Sequence, residues 1–364
     1  MTRIQSYFKG NLKQPSIFDW LTRLGVMRIL RPWCGGAGVI FVLHRVCRNE
    51  DTPLAPMFAT TGTLENMLAA LRGAGWDIVS LDELRQRLTG GPKPGQRPFA
   101  VFTFDDGYLD NLTLALPVFR KFQAPLTVYV CTGFLDRTVD PWWASIDRLI
   151  HENDAISVTI PGFGEQRFSC HTWAEKAATY TELWSVLLGA DERATATIAD
   201  LYRRYATDAA SEMARIAMTW EQAAELAKDP LVTVGAHTCS HPSLPRLSID
   251  QARHEMREGR DQLEARLGVP VRHFAYPFGH LGQREIALAE EIGFETATTT
   301  LSGNVFQENV ADLRCLARRN FYEDPARFSP QLGARFALQS AMGCDLLVNA
   351  IRGRPRVVSR RLWS

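Results

Sequence analysis

Three stretches of this chain combine side chains able to hold a metal ion or move a proton with positions that bring such groups together. The first is PFAVFTFDDGY, Pro98–Tyr108, where two adjacent carboxylates, Asp105 and Asp106, follow an apolar run. Neighbouring anions repel each other and resist desolvation, so a buried pair calls for a cation or a shared proton. The second is HTCSH, His237–His241, two imidazoles four residues apart after the run LVTVGA. That spacing also occurs on helices, but the preceding strand-like run and the following Pro242 place this pair in a loop or a single turn. The third is His44, which ends the apolar run Val39–Leu43. Asp-Asp-Gly alone also serves as a turn or a helix cap. Two aspartates and two histidines at equivalent strand ends make a metal site the stronger reading. Cys239, between the histidines, is soft enough to ligate zinc but is read as a bystander.

The elements that must position these groups follow a β-α rhythm. Phe99–Phe104 is apolar without polar alternation, the pattern of a parallel strand buried on both faces, where α/β folds gather chemistry at the carboxyl end. Val39–Leu43, Asp77–Leu81, Pro125–Cys131, Leu231–Ala236, the run from Val271, Glu295–Thr300 and Leu313–Phe321 read as further strands. Helices are expected at Leu64–Arg72, Leu81–Leu88, Leu112–Phe122 with a break near Pro117, Trp220–Ala227, Ile249–Leu267 closed by Gly268, and Ile286–Ile292. Seven or eight βα units suit a barrel better than an open sheet. The rhythm stops from Pro141 to about Ala217, which is Trp- and Ala-rich and reads as a helical insertion (141–217). Its tryptophans are read as core, except that Trp142 and Trp143 could present a sugar-stacking face. Residues 1–35 form an amino-terminal segment with an amphipathic helix at Ser16–Leu30, 36–325 the barrel, and 326–364 a helical then basic tail.

Composition narrows the partners. The chain has 364 residues, 46% hydrophobic, with 41 basic against 40 acidic side chains. That balance gives no electrostatic reason to expect nucleic acid. Seven scattered cysteines without C-x-x-C spacing argue against a disulfide framework. No signal-type apolar region and no 18-residue apolar run is present, so a cytoplasmic location is expected, with weak membrane-surface association through the basic Ser16–Leu30 helix as a secondary expectation.

With TFDDG at Thr103–Gly107 and HTCSH at His237–His241 joined to AYPFG at Ala275–Gly279, the chain resembles the polysaccharide deacetylases, carbohydrate esterase family 4, from about Val39 to Tyr322. The resemblance implies an α/β fold, an irregular (β/α)7-type barrel. It also implies that Asp106, His237 and His241 ligate a divalent metal, zinc by default, that Asp105 is the general base, and that the Phe278 amide stabilises the oxyanion. The implied substrate is an N-acetylated oligosaccharide or polysaccharide precursor. Two positions depart from the family pattern. Many members carry an arginine two residues before the turn proline to orient the base; Ala275 stands there, and Arg318 or Arg319 is expected to substitute. The family's carboxy-terminal acid histidine is absent, because no histidine follows His280. His44 is the expected general acid, with His280 as competitor. The alternatives are an amidohydrolase of the same barrel acting on a small amide, an inactive sugar-binding homologue, and an iron oxygenase with two histidines and a carboxylate, the last disfavoured by the βα rhythm.

Overall fold

The structure, a computed structural model, describes residues 36–341 except 52–53, 55–56, 189–191 and 322–329. The expected Ser16–Leu30 helix and the basic carboxy-terminal residues from 342 onward lie outside the described residues.

Seven parallel strands close into a barrel. They are β1 (Gly38–Leu43), β2 (Phe99–Phe104), β3 (Leu126–Val130), β4 (Val232–Ala236), β5 (His273–Ala275), β6 (Thr296–Ser302) and β7 (Leu316–Asn320). Neighbours in the barrel are neighbours in sequence, and β1 closes it by pairing with both β2 and β7. The irregularity lies on the far edge of β2. There the two-residue strand Asp77–Ile78 pairs with its start, opposite Phe99 and Ala100, while β3 pairs with its end, opposite Thr103 and Phe104. A register shift between β6 and β7 adds a second irregularity.

The two faces of each strand explain its unbroken apolar run. Along β1 and β2, Val39, Phe41, Leu43, Ala100, Phe102 and Phe104 pack outward against the helices, whereas Ile40, Phe99 and Val101 point into the lumen. The helix Leu81–Thr89 plugs the amino-terminal end, where Leu81, Leu84 and Leu88 join Phe99, Val101, Tyr129 and Leu316. By the same alternation Thr103 and Asp105 continue the lumenal row toward the open carboxyl end.

Between Pro141 and Ala217 the chain forms helices Trp142–Glu152, Trp173–Leu187, Glu192–Arg204 and Ala209–Ile216. It also contains an element absent from the sequence reading, an antiparallel hairpin of Ala155–Ile160 with Gly164–Ser169. These pack around a separate core that includes Ile146, Ile150, Ile156, Val158, Leu183 and Leu201. Both ends of this stretch fasten to Tyr108, whose backbone bridges Ala217 and whose hydroxyl accepts the Trp143 indole N–H at 3.0 Å. Trp142 packs against Trp184, with ring centres 4.9 Å apart. Among the described residues no helix is long and apolar enough to cross a membrane.

Candidate metal and catalytic site

Parallel strands all end on one rim, so groups at their carboxyl ends become neighbours. Asp106 follows β2 and the loop His237–His241 follows β4. One ligand atom from each of Asp106, His237 and His241 lies within 4.8 Å of the others. The Nε2 atoms of His237 and His241 each sit 3.4 Å from Oδ1 of Asp106. That oxygen is buried and accepts no hydrogen bond. A buried carboxylate oxygen without a donor is costly, and two imidazole nitrogens aimed at it complete a three-ligand set suited to a divalent ion. His237 Nδ1 lies 2.8 Å from the Ala275 carbonyl, which can only accept. The proton therefore sits on Nδ1 and the Nε2 lone pair faces the cluster. The site accordingly fits a metal.

Four of the residues that frame the rim adopt left-handed backbone angles although none is glycine: Asp106 (φ 80°), Thr238 (66°), His241 (57°) and Phe278 (57°). Such conformations cost about 1 kcal/mol or more each and persist where the surrounding structure enforces them, commonly at functional sites. At the next position, Gly279, a Cβ would fall 1.9 Å from Thr300 Oγ1, so the turn after β5 requires glycine.

Electrostatics divide the two aspartates. Burial would raise the Asp105 carboxyl, but the Arg318 guanidinium outweighs it and leaves that carboxyl below its ordinary range. The two form a fork, with both Asp105 oxygens 2.7 Å from Arg318 nitrogens. Arg318 is fully buried and also donates to the Thr299 carbonyl (2.8 Å) and Thr103 Oγ1 (3.1 Å). Of the two arginines expected to stand in for the family's, Arg318 is the one that contacts Asp105. Arg319, the next residue, points to the other face of β7 and donates to Asn304 Oδ1 at 2.8 Å. Burial likewise opposes ionisation of Asp106, and His237, His241 and His44 overcome it and lower its carboxyl. His241 is pushed down to about 4, first by burial, so it is neutral near pH 7 as a ligand must be.

His44 stands just past β1, half-buried, with Nδ1 buried and unpartnered. It lies close enough for its charge to act on Asp105, Asp106 and His241. The Phe278 ring, half exposed, rests 4.6 Å from that of His241. His280 is exposed on the same rim and meets Ser243 Oγ at 3.0 Å through Nδ1. Burial is the main influence lowering it. Cys239 faces away: its thiol contacts the Glu255 carbonyl at 3.6 Å and stands outside the cluster of Asp106, His237 and His241. Trp142 is engaged in the packing of the inserted helices, and Trp143 donates to Tyr108. Sequence reasoning passed over Tyr108, whose ring lies 4.6 Å under the Arg45 guanidinium, itself paired with Asp110 at 2.5 Å. The signal was its position directly after Asp-Asp-Gly.

A closed seven-stranded parallel barrel with an aspartate and two histidines gathered at its carboxyl rim defines the class. A family model described as polysaccharide deacetylase matches residues 93–297, and the chain belongs to that family. It is 24% identical over 275 residues to the poly-beta-1,6-N-acetyl-D-glucosamine N-deacetylase of Escherichia coli (strain K12), a match covering 75% of this chain and 35% of that protein. The chain thus spans about a third of the length of the curated relatives it matches. Among solved structures, it is similar in fold to the Streptococcus pyogenes deacetylase PplD in complex with acetate (TM-score 0.54, 18% identity, 83% of this chain and 97% of that one). It is similar also to IcaB from Ammonifex degensii (TM-score 0.51, 18% identity, 84% and 97%).

Proposed function

We propose that the protein is a metal-dependent hydrolase that removes N-acetyl groups from the acetamido sugars of a polysaccharide or its precursor. One observation carries the reading: an aspartate clamped by a buried arginine adjoins an aspartate that shares an unpartnered oxygen with two histidines. The Escherichia coli relatives are N-deacetylases of poly-beta-1,6-N-acetyl-D-glucosamine by name, which makes such a polymer the substrate class to test first.

Asp106, His237 and His241 would hold the ion. A divalent ion bound there, zinc by default, lowers the pKa of its water and polarises the acetamide carbonyl. Asp105 takes the proton of the attacking water. Arg318 occupies both carboxylate oxygens but leaves lone pairs free, since an ionised carboxylate offers about four. It keeps Asp105 ionised and fixes its orientation, at the cost of some basicity. The Phe278 amide stabilises the developing oxyanion, with its left-handed angle setting the direction of the N–H. His44 delivers a proton to the leaving amine.

The test is acetate release from β-1,6-linked N-acetylglucosamine oligomers by protein with and without bound metal, beside a panel of small non-sugar amides. Release from the oligomers that disappears with chelator and returns with the ion supports the proposal. Turnover of small amides alone makes the protein a general amidohydrolase, and oligomer binding without release makes it a sugar-binding homologue.

A further inference from the structure

We propose that Glu255, outside the barrel and not a ligand, is the positioning residue that holds the loop His237–His241 in its metal-binding shape. This rests on the metal reading of that site. The loop must turn the chain within five residues so that two imidazoles converge on one oxygen, and it does so with Thr238 and His241 both left-handed. Its inner half is tied to the barrel: His237 N–H donates to the Val130 carbonyl (3.0 Å) and Thr132 N–H to the Thr238 carbonyl (3.3 Å). In its outer half the Cys239 carbonyl accepts the Gly133 N–H at 2.7 Å, while the N–H groups of the turn meet one carboxylate. Glu255 Oε2 accepts the N–H groups of both Cys239 and Ser240 at 2.9 Å, and Oε1 accepts the Ser240 hydroxyl at 2.7 Å.

Two consecutive N–H groups aimed at one oxygen give the turn between the ligands a counterpart it cannot supply itself, because left-handed residues turn these groups away from the strand ladder. Glu255 reaches them because its helix, Ile249–Leu267, lies against the loop at Gly259, one turn further along the same face. There a Cβ would stand 2.8 Å from the Thr238 carbonyl carbon. The helix therefore transmits a fixed distance from the barrel wall to the loop. Groups that orient ligands in this way typically contribute 10–100-fold to metal affinity.

The experiment titrates metal-free protein with Zn2+ against a competing chelator and records the melting temperature of the metal-free state. Glu255→Gln keeps the length and can accept both N–H groups on its oxygen while its amide donates to Ser240 Oγ, so affinity should stay within about threefold. Glu255→Asp keeps the charge but is one methylene too short, and should weaken Zn2+ binding by about tenfold or more. Arg253→Ala, on the same helix with its guanidinium on Glu291, controls for disturbance of the helix. The reverse order, with Asp tolerated and Gln not, shows that charge rather than reach matters and overturns the proposal. Unchanged affinity in both variants, or a lowered metal-free melting temperature with unchanged affinity, makes Glu255 a residue of the fold alone and also overturns it. Failure of the unaltered protein to take up Zn2+ refutes the metal reading itself, a result separate from any difference between the variants.

Discussion

Arg318→Ala tests the buried pair at the heart of the site. In the folded protein the side chains of Arg318 and Asp105 are 0% and 3% exposed, and two 2.7 Å contacts join them. Removing one member of such a pair leaves a buried charge uncompensated, which costs about 3–5 kcal/mol. For a chain of this size that corresponds to a fall in melting temperature of roughly 4–8 °C. The sign of the pH dependence follows from burial. With Arg318 present, Asp105 is held below its ordinary range, so its stabilisation is complete above that range and lost as pH falls through the folded value. Without Arg318, burial is opposed only by the smaller influence of His237 and His44, so the carboxyl moves up from its value in the unaltered protein, and the penalty is largest where it is forced to ionise. The gap in melting temperature between the two proteins, measured metal-free by calorimetry, should therefore be widest near pH 7 and narrow toward pH 4. Adding Asp105→Asn removes the stranded charge, so the double variant should be more stable than Arg318→Ala by at least about 1 kcal/mol. A gap that is constant with pH, or a double variant that simply adds both losses, would refute the electrostatic account of this pair.

Asp105→Asn alone should keep the metal content of the unaltered protein and lose about 10²–10⁴-fold in kcat, because an amide cannot accept the water's proton; near-normal kcat with full metal would reduce Asp105 to a turn residue. His44→Ala should lose the alkaline limb of the kcat/KM profile together with at least about tenfold in rate, and retention of that limb would move the acid role to His280 or solvent. In the inserted stretch, Asp200 accepts the Thr159 N–H and the Arg204 guanidinium, both at 2.7 Å, and pairs with Arg203. Burial opposes these partners, yet they pull its carboxyl down to about 2, so its stabilisation is full above about pH 4 and lost as pH falls toward 2. Asp200→Asn should flatten the acid end of the melting-temperature curve, and an unchanged curve would show that the pair contributes nothing.

The barrel strands Val39–Leu43 and Phe99–Phe104 were legible because a strand buried on both faces reads as an unbroken apolar run. The neighbourhood of Asp106, His237 and His241 followed from the same source: parallel strands point one way, so residues just past their ends share a rim. The hairpin Ala155–Ile160 was also within reach, since Ile156, Val158 and Ile160 alternate with less buried residues, but helical periodicity on either side masked six residues of period two.

What only the tertiary structure decided depends on register and distance. Arg318 and Arg319 are chemically identical neighbours on one strand, and successive side chains point to opposite faces. Which of them enters the lumen depends on how β7 aligns with β6, where the register shifts between Thr298 and Ser302. No local pattern in the chain encodes that shift. Glu255 is equally silent in sequence, one acidic residue on a highly charged helix. It becomes specific only because Gly259 lets that helix approach Thr238 closely enough for a carboxylate to span the turn between the two histidines. Strand-end chemistry is a property of chain direction, which sequence carries; the partners that orient it are set by packing between elements distant in the chain, which sequence carries only through the folded whole.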